Sequence, residues 1–256
     1  MEVVITDGPE EAAVVAADLV QRLLETFERP VLGLATGSSP LPMYRLLINR
    51  YRSGLISFAH ARVFLLDEYV GLDLDDPETY RMFIGRELTD HLDLPSGAMF
   101  APDGSGDDPA TSAAAYERLI SEVGGIDLQV LGIGSDGHIG FNEPTSSLGS
   151  RTRVKTLTRA TRADNARFFD GDVDRVPRRA LTQGIGTILE ARRLVLIATG
   201  AGKADPVARA VEGPLTAMVP ASALQLHPRA TVIVDEEAAA DLRMADYYRE
   251  AQEFSG

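Results

Sequence analysis

Short apolar runs alternate with longer amphipathic stretches along the whole chain. The runs EVVIT (2–6), VLGLA (31–35), RVFLL (62–66), IDLQVLGIG (126–134), LVLIAT (194–199) and TVIVD (231–235) read as strands. VLGLA and LVLIAT are apolar at nearly every position, as strands covered on both faces must be. Between them, residues 9–27, 40–51, 77–92, 109–123, about 203–211 and 236–253 read as helices, and further helices are expected within 162–170 and 177–191. Strands alternating with helices predict an α/β fold, a mostly parallel sheet with helices on both faces. There is no internal repeat and no low-complexity linker. The Pro/Gly/Asp-rich stretch 95–109 is a candidate boundary but reads as a surface loop, so residues 1–256 are expected to form a single domain.

In open α/β sheets, ligands bind beyond the carboxyl ends of the strands. Four segments leave a predicted strand for a loop rich in glycine or polar residues: ATGSSP (35–40), LDEYVGL (66–72), GIGSDGHIGFNEP (132–144) and ATGAGKA (198–204). In a parallel sheet all four crowd one edge, and that convergence is the main functional signal.

ATGSSP sets Gly37, Ser38 and Ser39 between a strand and a helix, with Pro40 suited to the first turn. Backbone N–H groups there attract anions, and two hydroxyls add donors, so the loop reads as a phosphate cradle or as a plain serine N-cap. ATGAGKA places Lys203 at a helix start, where a cation opposes the dipole unless an anion offsets it. The other reading is a solvated lysine. Asp67 ends a buried strand in LLDEYVGL, where desolvation would strengthen it as a base. It could instead cap a turn, with Glu68 solvated beside it.

GIGSDGHIGFNEP contains a formal GxGxxG, but HIGFNEP interrupts the helix that a dinucleotide fingerprint requires. Asp136, His138 and Glu143 in the same loop read as a metal cluster or as an acid–histidine–acid relay. No second histidine or cysteine lies nearby to favour the metal. In the relay, a carboxylate orients the imidazole and the ring moves a proton.

Composition narrows the classes. The formal net charge is −13, a poor match for nucleic acid or an anionic membrane surface. Basic residues are nevertheless concentrated in 150–169, where Arg151, Arg153, Lys155, Arg159, Arg162 and Arg167 could close over an anion or form a solvated face. There is no cysteine, which excludes disulfides and thiolate chemistry. The N-terminal MEVVITDGPEEAA does not have the pattern of a signal peptide, and no apolar run approaches the ~20 residues of a membrane span. A soluble cytoplasmic protein is expected.

TGSSP, LDEYVGL, GIGSDGHIGFNEP, SSLGSRTRVKTLT, ARFFD, ALTQGIGTIL and LQLHP, in this order over nearly the whole chain, closely resemble the glucosamine-6-phosphate deaminases. The related 6-phosphogluconolactonases share a GxGxDGH-like loop but not the FNEP that follows it here. The resemblance implies a modified Rossmann-like, doubly wound sheet with a mobile lid, placed here at roughly 153–182. It implies conversion of glucosamine 6-phosphate and water to fructose 6-phosphate and ammonia, with no cofactor and no metal. By motif, Asp67 resembles the base that takes the C2 proton. His138 resembles the ring-opening residue, with Asp136 and Glu143 as partners. Gly37, Ser38, Ser39, Arg167 and Lys203 resemble the phosphate clamp. Some members are homo-oligomers, hexamers among them, with an allosteric site for N-acetylglucosamine 6-phosphate. Ser146, Arg153, Lys155 and Tyr247 match that site.

Three rivals stand beside this reading. A lactonase of the same superfamily would share the phosphate loop and the histidine but not an enolising base in a DEYVGL context. A non-catalytic sugar-phosphate sensor would have no need of Asp67, His138 and Glu143. A nicotinamide dehydrogenase would rest on the GxGxxG alone.

Overall fold

A computed structural model describes residues 1–253. In chain order the strands are β1 (Glu2–Thr6), β2 (Val31–Leu34), β3 (Arg62–Leu65), β4 (Asp67–Tyr69), β5 (Met99–Phe100), β6 (Leu128–Leu131), β7 (Arg153–Thr156), β8 (Arg179–Thr182), β9 (Leu194–Ala198) and β10 (Ala230–Asp235). The α-helices are α1 (Pro9–Thr26), α2 (Leu41–Arg52), α3 (Tyr80–Glu87), α4 (Pro109–Glu122), α5 (Arg159–Asn165), α6 (Ile185–Leu189), α7 (Ala204–Val211) and α8 (Ala245–Glu253).

Seven strands form one sheet in the order β1-β10-β9-β6-β2-β3-β5, and every pairing in it is parallel. The chain builds outward from β2 through β3 to β5, then returns to the other side of β2 with β6. The order therefore reverses between β2 and β6, and a crevice opens at their carboxyl ends. Side chains alternate between two apolar layers. Leu32 and Leu34 enter a core with α1, α2 and α3, whereas Val31 and Ala35 face a second core with α4 and α7. Gly33 lies beside Gln129 of β6, whose buried side chain would collide with any Cβ at that position.

Three expected elements differ. Within 177–191 the helix is short, α6, and Arg179–Thr182 before it is a strand that the pattern did not predict. β8 pairs antiparallel with both β4 and β7, giving a small second sheet. Its central strand β8 pairs with β4 from far up the chain and with β7 across the connection 157–178, so local periodicity could not announce it. Helix 236–253 shrinks to α8, because the carboxylate of Glu212 accepts the N–H groups of Arg243 (3.0 Å) and Met244 (2.9 Å) just before it starts. The supposed surface loop at 95–109 supplies β5, which pairs with β3.

The second sheet matters for the cleft. β7 and β8 pair with each other, while 157–178 between them runs out over the crevice. Leu157, Ala166, Phe169 and Val176 anchor that segment in the first core.

Candidate active site

A cavity of about 130 Å³ lies at the switch point, lined by residues from all four loops. Ala35–Ser39 come from the end of β2, Leu66 and Asp67 from the β3–β4 junction, Gly132–Gly134, His138, Gly140 and Phe141 from the loop after β6, and Lys203 from that after β9. The covering segment adds Asp164, Asn165 and Arg167. This space is smaller than the ~300–1,000 Å³ common for drug-sized ligands. No helix follows β6 directly among the described residues, so the GxGxxG does not form a dinucleotide fingerprint.

Asp67 sits where the chain leaves the large sheet for the small one. It is 5% exposed. Burial, with Glu68 adding like charge, pushes its carboxyl well above the usual carboxylate range. Gly140 stands across from it: a Cβ there would lie 2.8 Å from Thr182 Oγ1 and 3.3 Å from Asp67 Oδ2. At a φ of 55°, the glycine keeps one side of the carboxylate open.

Glu68 is buried, not solvated as the sequence suggested. Its carboxylate accepts the N–H groups of Tyr69 (2.8 Å), Tyr80 (2.9 Å) and Arg81 (2.9 Å), which holds the start of α3. Tyr80, missed by the sequence reading, is thereby set in the cavity wall. Its ring stacks on Phe141 at 5.7 Å and its hydroxyl donates to that of Tyr69 at 3.2 Å.

The loop after β6 wraps an imidazole. Gly134 donates to His138 O, and Gly137 donates to Gly134 O. The His138 ring lies against Gly134 so closely that a Cβ there would collide with it. Asp136 Oδ1 pairs with His138 Nδ1 at 2.7 Å and accepts the His138 backbone N–H at 3.0 Å. Burial opposes ionisation of Asp136, but the hydrogen bond and charge of His138 outweigh it and bring the carboxyl down to about 2. Glu143, 3% exposed, accepts the Thr158 N–H at 2.9 Å with Oε1, while its Oε2 is buried without a hydrogen-bond partner. Asp136 and Glu143 stand behind His138 instead of in the cavity wall. One ligating atom from each of the three lies within 4.8 Å of the others. The donor set could hold a cation; of the expected acid–imidazole–acid relay, the Asp136–His138 half is hydrogen-bonded, while Glu143 makes no hydrogen bond to the ring.

At the other end, Gly37 adopts a φ of 99° and turns the chain toward α2. Pro40 is the N-cap residue instead of lying in the first turn, which begins at Leu41 and holds Pro42. Among the described residues, the N–H groups of Ser38 and Ser39 have no hydrogen-bond partner, and both residues line the cavity. Lys203 is the N-cap residue of α7, and its Nζ donates to Ile133 O at 2.7 Å. Burial lowers its pKa. Arg167 lies over the Phe168 ring at 4.8 Å. Two cations and two free N–H groups can bind an anion here.

Ser146, Arg153 and Lys155 fall outside this cavity. Ser146 donates to Glu143 O at 2.7 Å, and Arg153 donates to Asn142 Oδ1 at 2.9 Å. Tyr247 is on α8, which packs beside β1, a different part of the fold.

A parallel sheet with its cavity at the switch point, holding acid–base side chains and no dinucleotide fingerprint, defines an α/β enzyme for a small ligand. Residues 7–233 match the model of the glucosamine-6-phosphate isomerases/6-phosphogluconolactonase family, and the chain belongs to that family. It is 56% identical to a glucosamine-6-phosphate deaminase of Beutenbergia cavernae over 250 residues, 98% of this chain and 96% of that protein. Among solved structures it is similar to a monomeric glucosamine-6-phosphate deaminase, with TM-score 0.92 and 41% identity over 94% of this chain and 100% of that one. The 6-phosphogluconolactonase of Trypanosoma brucei shares the fold at TM-score 0.74 and 19% identity, covering 94% of this chain and 98% of that one.

Proposed function

We propose that residues 1–256 act as one catalytic domain that converts D-glucosamine 6-phosphate and water to D-fructose 6-phosphate and ammonia. The observation that carries this reading is the presence in one cavity of two acid–base centres, Asp67 and the His138–Asp136 pair, next to an anion-binding end.

The chemistry follows from the substrate. The ring is a hemiacetal, so its C2 proton becomes acidic only once the aldehyde is free. His138 takes the proton from the O1 hydroxyl and returns one to O5, which opens the ring. Asp136 orients the imidazole and stabilises its charged form, with Glu143 behind. Asp67 then removes the C2 proton while a proton from the C2 ammonium passes to O1, giving a C1–C2 enolamine. Protonation at C1 turns this into a C2 iminium. Water adds to that carbon and ammonia leaves, producing the ketose. Asp67, pushed up by burial, is a strong base once ionised, and the ammonium at C2 of the substrate favours its ionised form on binding. Gly37, Ser38, Ser39, Arg167 and Lys203 hold the phosphate, and 153–182 acts as the lid. None of these steps calls on a cofactor or metal. A charged sugar phosphate does not cross membranes unaided, which supports a cytoplasmic site of action.

Ammonia release matched by fructose 6-phosphate, with EDTA present, tests the reading. Activity on 6-phosphogluconolactone in its place would leave the phosphate end right and the chemistry wrong.

A second proposal concerns regulation. Arg153 Nη2 is buried without a hydrogen-bond partner, and burial lowers the pKa of both Arg153 and Lys155. These cations, with Ser146, would receive N-acetylglucosamine 6-phosphate. Tyr247 would complete the site in a homo-oligomer, a hexamer in the fullest form. Hyperbolic kinetics unchanged by the N-acetylated sugar phosphate, from a monomer in sedimentation, would overturn it.

A further inference from the structure

The anion-binding end of the cavity contains one group of the wrong sign. Asp164, on α5 of the covering segment, lines the same cavity as Ser38, Ser39, Arg167 and Lys203. A carboxylate beside a phosphate is repelled, so it calls for an explanation. Among the described residues Asp164 has no ion pair, and the hydrogen bond that holds its side chain comes from Ser135 Oγ, 3.0 Å from its Oδ2. Ser135 belongs to the loop that carries Asp136 and His138. The bond therefore spans the crevice, from the covering segment to the loop after β6. Asp164 is exposed, and this bond holds its carboxylate where it lines the cavity.

The cations around it give this placement a purpose. Lys203 is partly buried, and burial lowers its pKa; Asp164 acts in the opposite sense on it, Arg167 in the same sense as burial, and Asp136 with Asp164. Without a ligand, the like charge of Arg167 acts on Lys203 across the cavity that both line. A negative charge there offsets their repulsion and the cost of desolvating Lys203. Once a phosphate is bound, it supplies that charge itself, and the carboxylate becomes a like charge beside it.

We propose that Asp164 is a built-in counter-ion of the phosphate end, held in place by Ser135, which an incoming phosphate must displace or outweigh. It sets the affinity for the phosphoryl group and selects for ligands charged enough to overcome it. It does not take part in the proton transfers. This rests on the reading of Lys203 and its neighbours as the phosphate clamp, and the experiment separates the two.

The measurement is the inhibition constant of inorganic phosphate, competing with glucosamine 6-phosphate at pH 7 and fixed ionic strength. Phosphate competes with the wild-type protein, and Lys203→Ala weakens that competition; absence of either effect overturns the clamp reading and this proposal together. With the clamp established, Asp164→Asn tightens inorganic phosphate about three- to tenfold, the effect of one unpaired charge several ångströms away in a partly solvated cleft. The same variant lowers KM for substrate more than it changes kcat. The tightening fades in high salt, because exposed charge is screened. Ser135→Ala, which releases the carboxylate from its tether, shifts the constant in the same direction by a smaller factor. Asp174→Asn makes the same charge change on the covering segment at an exposed side chain that does not line the cavity, and leaves the constant within about twofold. The proposal fails if Asp164→Asn leaves phosphate binding unchanged or weaker, or if Asp174→Asn tightens it equally.

Discussion

Asp67 and Asp136 serve one crevice, and their surroundings displace them in opposite directions. Asp67 leaves the large sheet at a buried corner, with Glu68 as its charged neighbour, and its carboxyl is pushed up. Asp136 lies in a glycine-rich turn, close to water, with an imidazole 2.7 Å away, and its carboxyl is pulled down to about 2. The residue type is the same, so the difference belongs to the positions. A carboxyl that resists ionisation suits taking a proton from carbon. One that stays ionised suits steadying a neighbouring imidazole as its charge changes. Glu68 makes a third case: buried like Asp67, but with its oxygens occupied by three backbone N–H groups. That occupation makes it a structural group instead of a reactive one.

The comparison breaks most visibly at Asp67. Asp67→Asn is expected to lower kcat by roughly 10³–10⁴-fold, the upper range for one positioned acid–base group. Competition by inorganic phosphate should persist, because the anion end is untouched. The same change removes a buried carboxyl whose ionisation costs the folded state and which has no hydrogen bond among the described residues, so the variant should resist urea better than the wild type at neutral pH. A variant with near wild-type kcat would show that another group takes the C2 proton. Asp136→Asn should cost less, up to roughly 10²-fold in kcat, since the amide can still accept from the ring but cannot stabilise its charge. An Asp136→Asn loss equal to that of Asp67→Asn would erase the distinction between base and orienting partner.

The two aspartates were not equally legible in the sequence. The loop carrying Asp136 and His138 announces itself, because three ionisable side chains on so glycine-rich a stretch are not there for packing. The four strand-end loops could also be placed on one edge from the alternation of strands and helices alone. Asp67 was visible as the end of an apolar run. The switch to a second sheet was not visible, because Asp67 pairs with Thr182, far along the chain. The same distance hid β8. Glu68 looked solvated because its partners Tyr80 and Arg81 come from a helix twelve residues further on. Tyr80 was missed with it. What escaped was in each case a contact between segments, which no local pattern encodes.

Glu68 offers a finer test of the same comparison. Glu68→Gln presents an amide N–H₂ toward backbone donors, leaving at least one N–H at the start of α3 unsatisfied, at a cost of about 1–3 kcal/mol in urea unfolding. It also removes the like charge beside Asp67, so Asp67 ionises more easily. The acid limb of kcat/KM should therefore move to lower pH. A limb that moves upward would mean that Asp67 is not the group titrating there.

The smallest expected effect belongs to the stability that Asp136 gains from His138. Its folded-state pKa of about 2 is below the ordinary 3.8. A depressed acid stabilises the fold at pH above its unfolded value and loses that contribution as pH falls toward the folded value. The full contribution, discounted for solvent screening, is about 1–2 kcal/mol. Wild type and Asp136→Asn should thus differ by that amount in urea unfolding at pH 6, and by roughly half of it at pH 3. Asp67→Asn provides the opposite sign in the same assay. Asp67 is raised, so its ionisation costs the folded state more as pH rises past its unfolded value, and the advantage of the asparagine should grow between pH 3 and pH 6. If both variants shifted stability in one direction across that interval, the opposite displacement of the two carboxyls would be wrong, and with it the division of labour assigned to them.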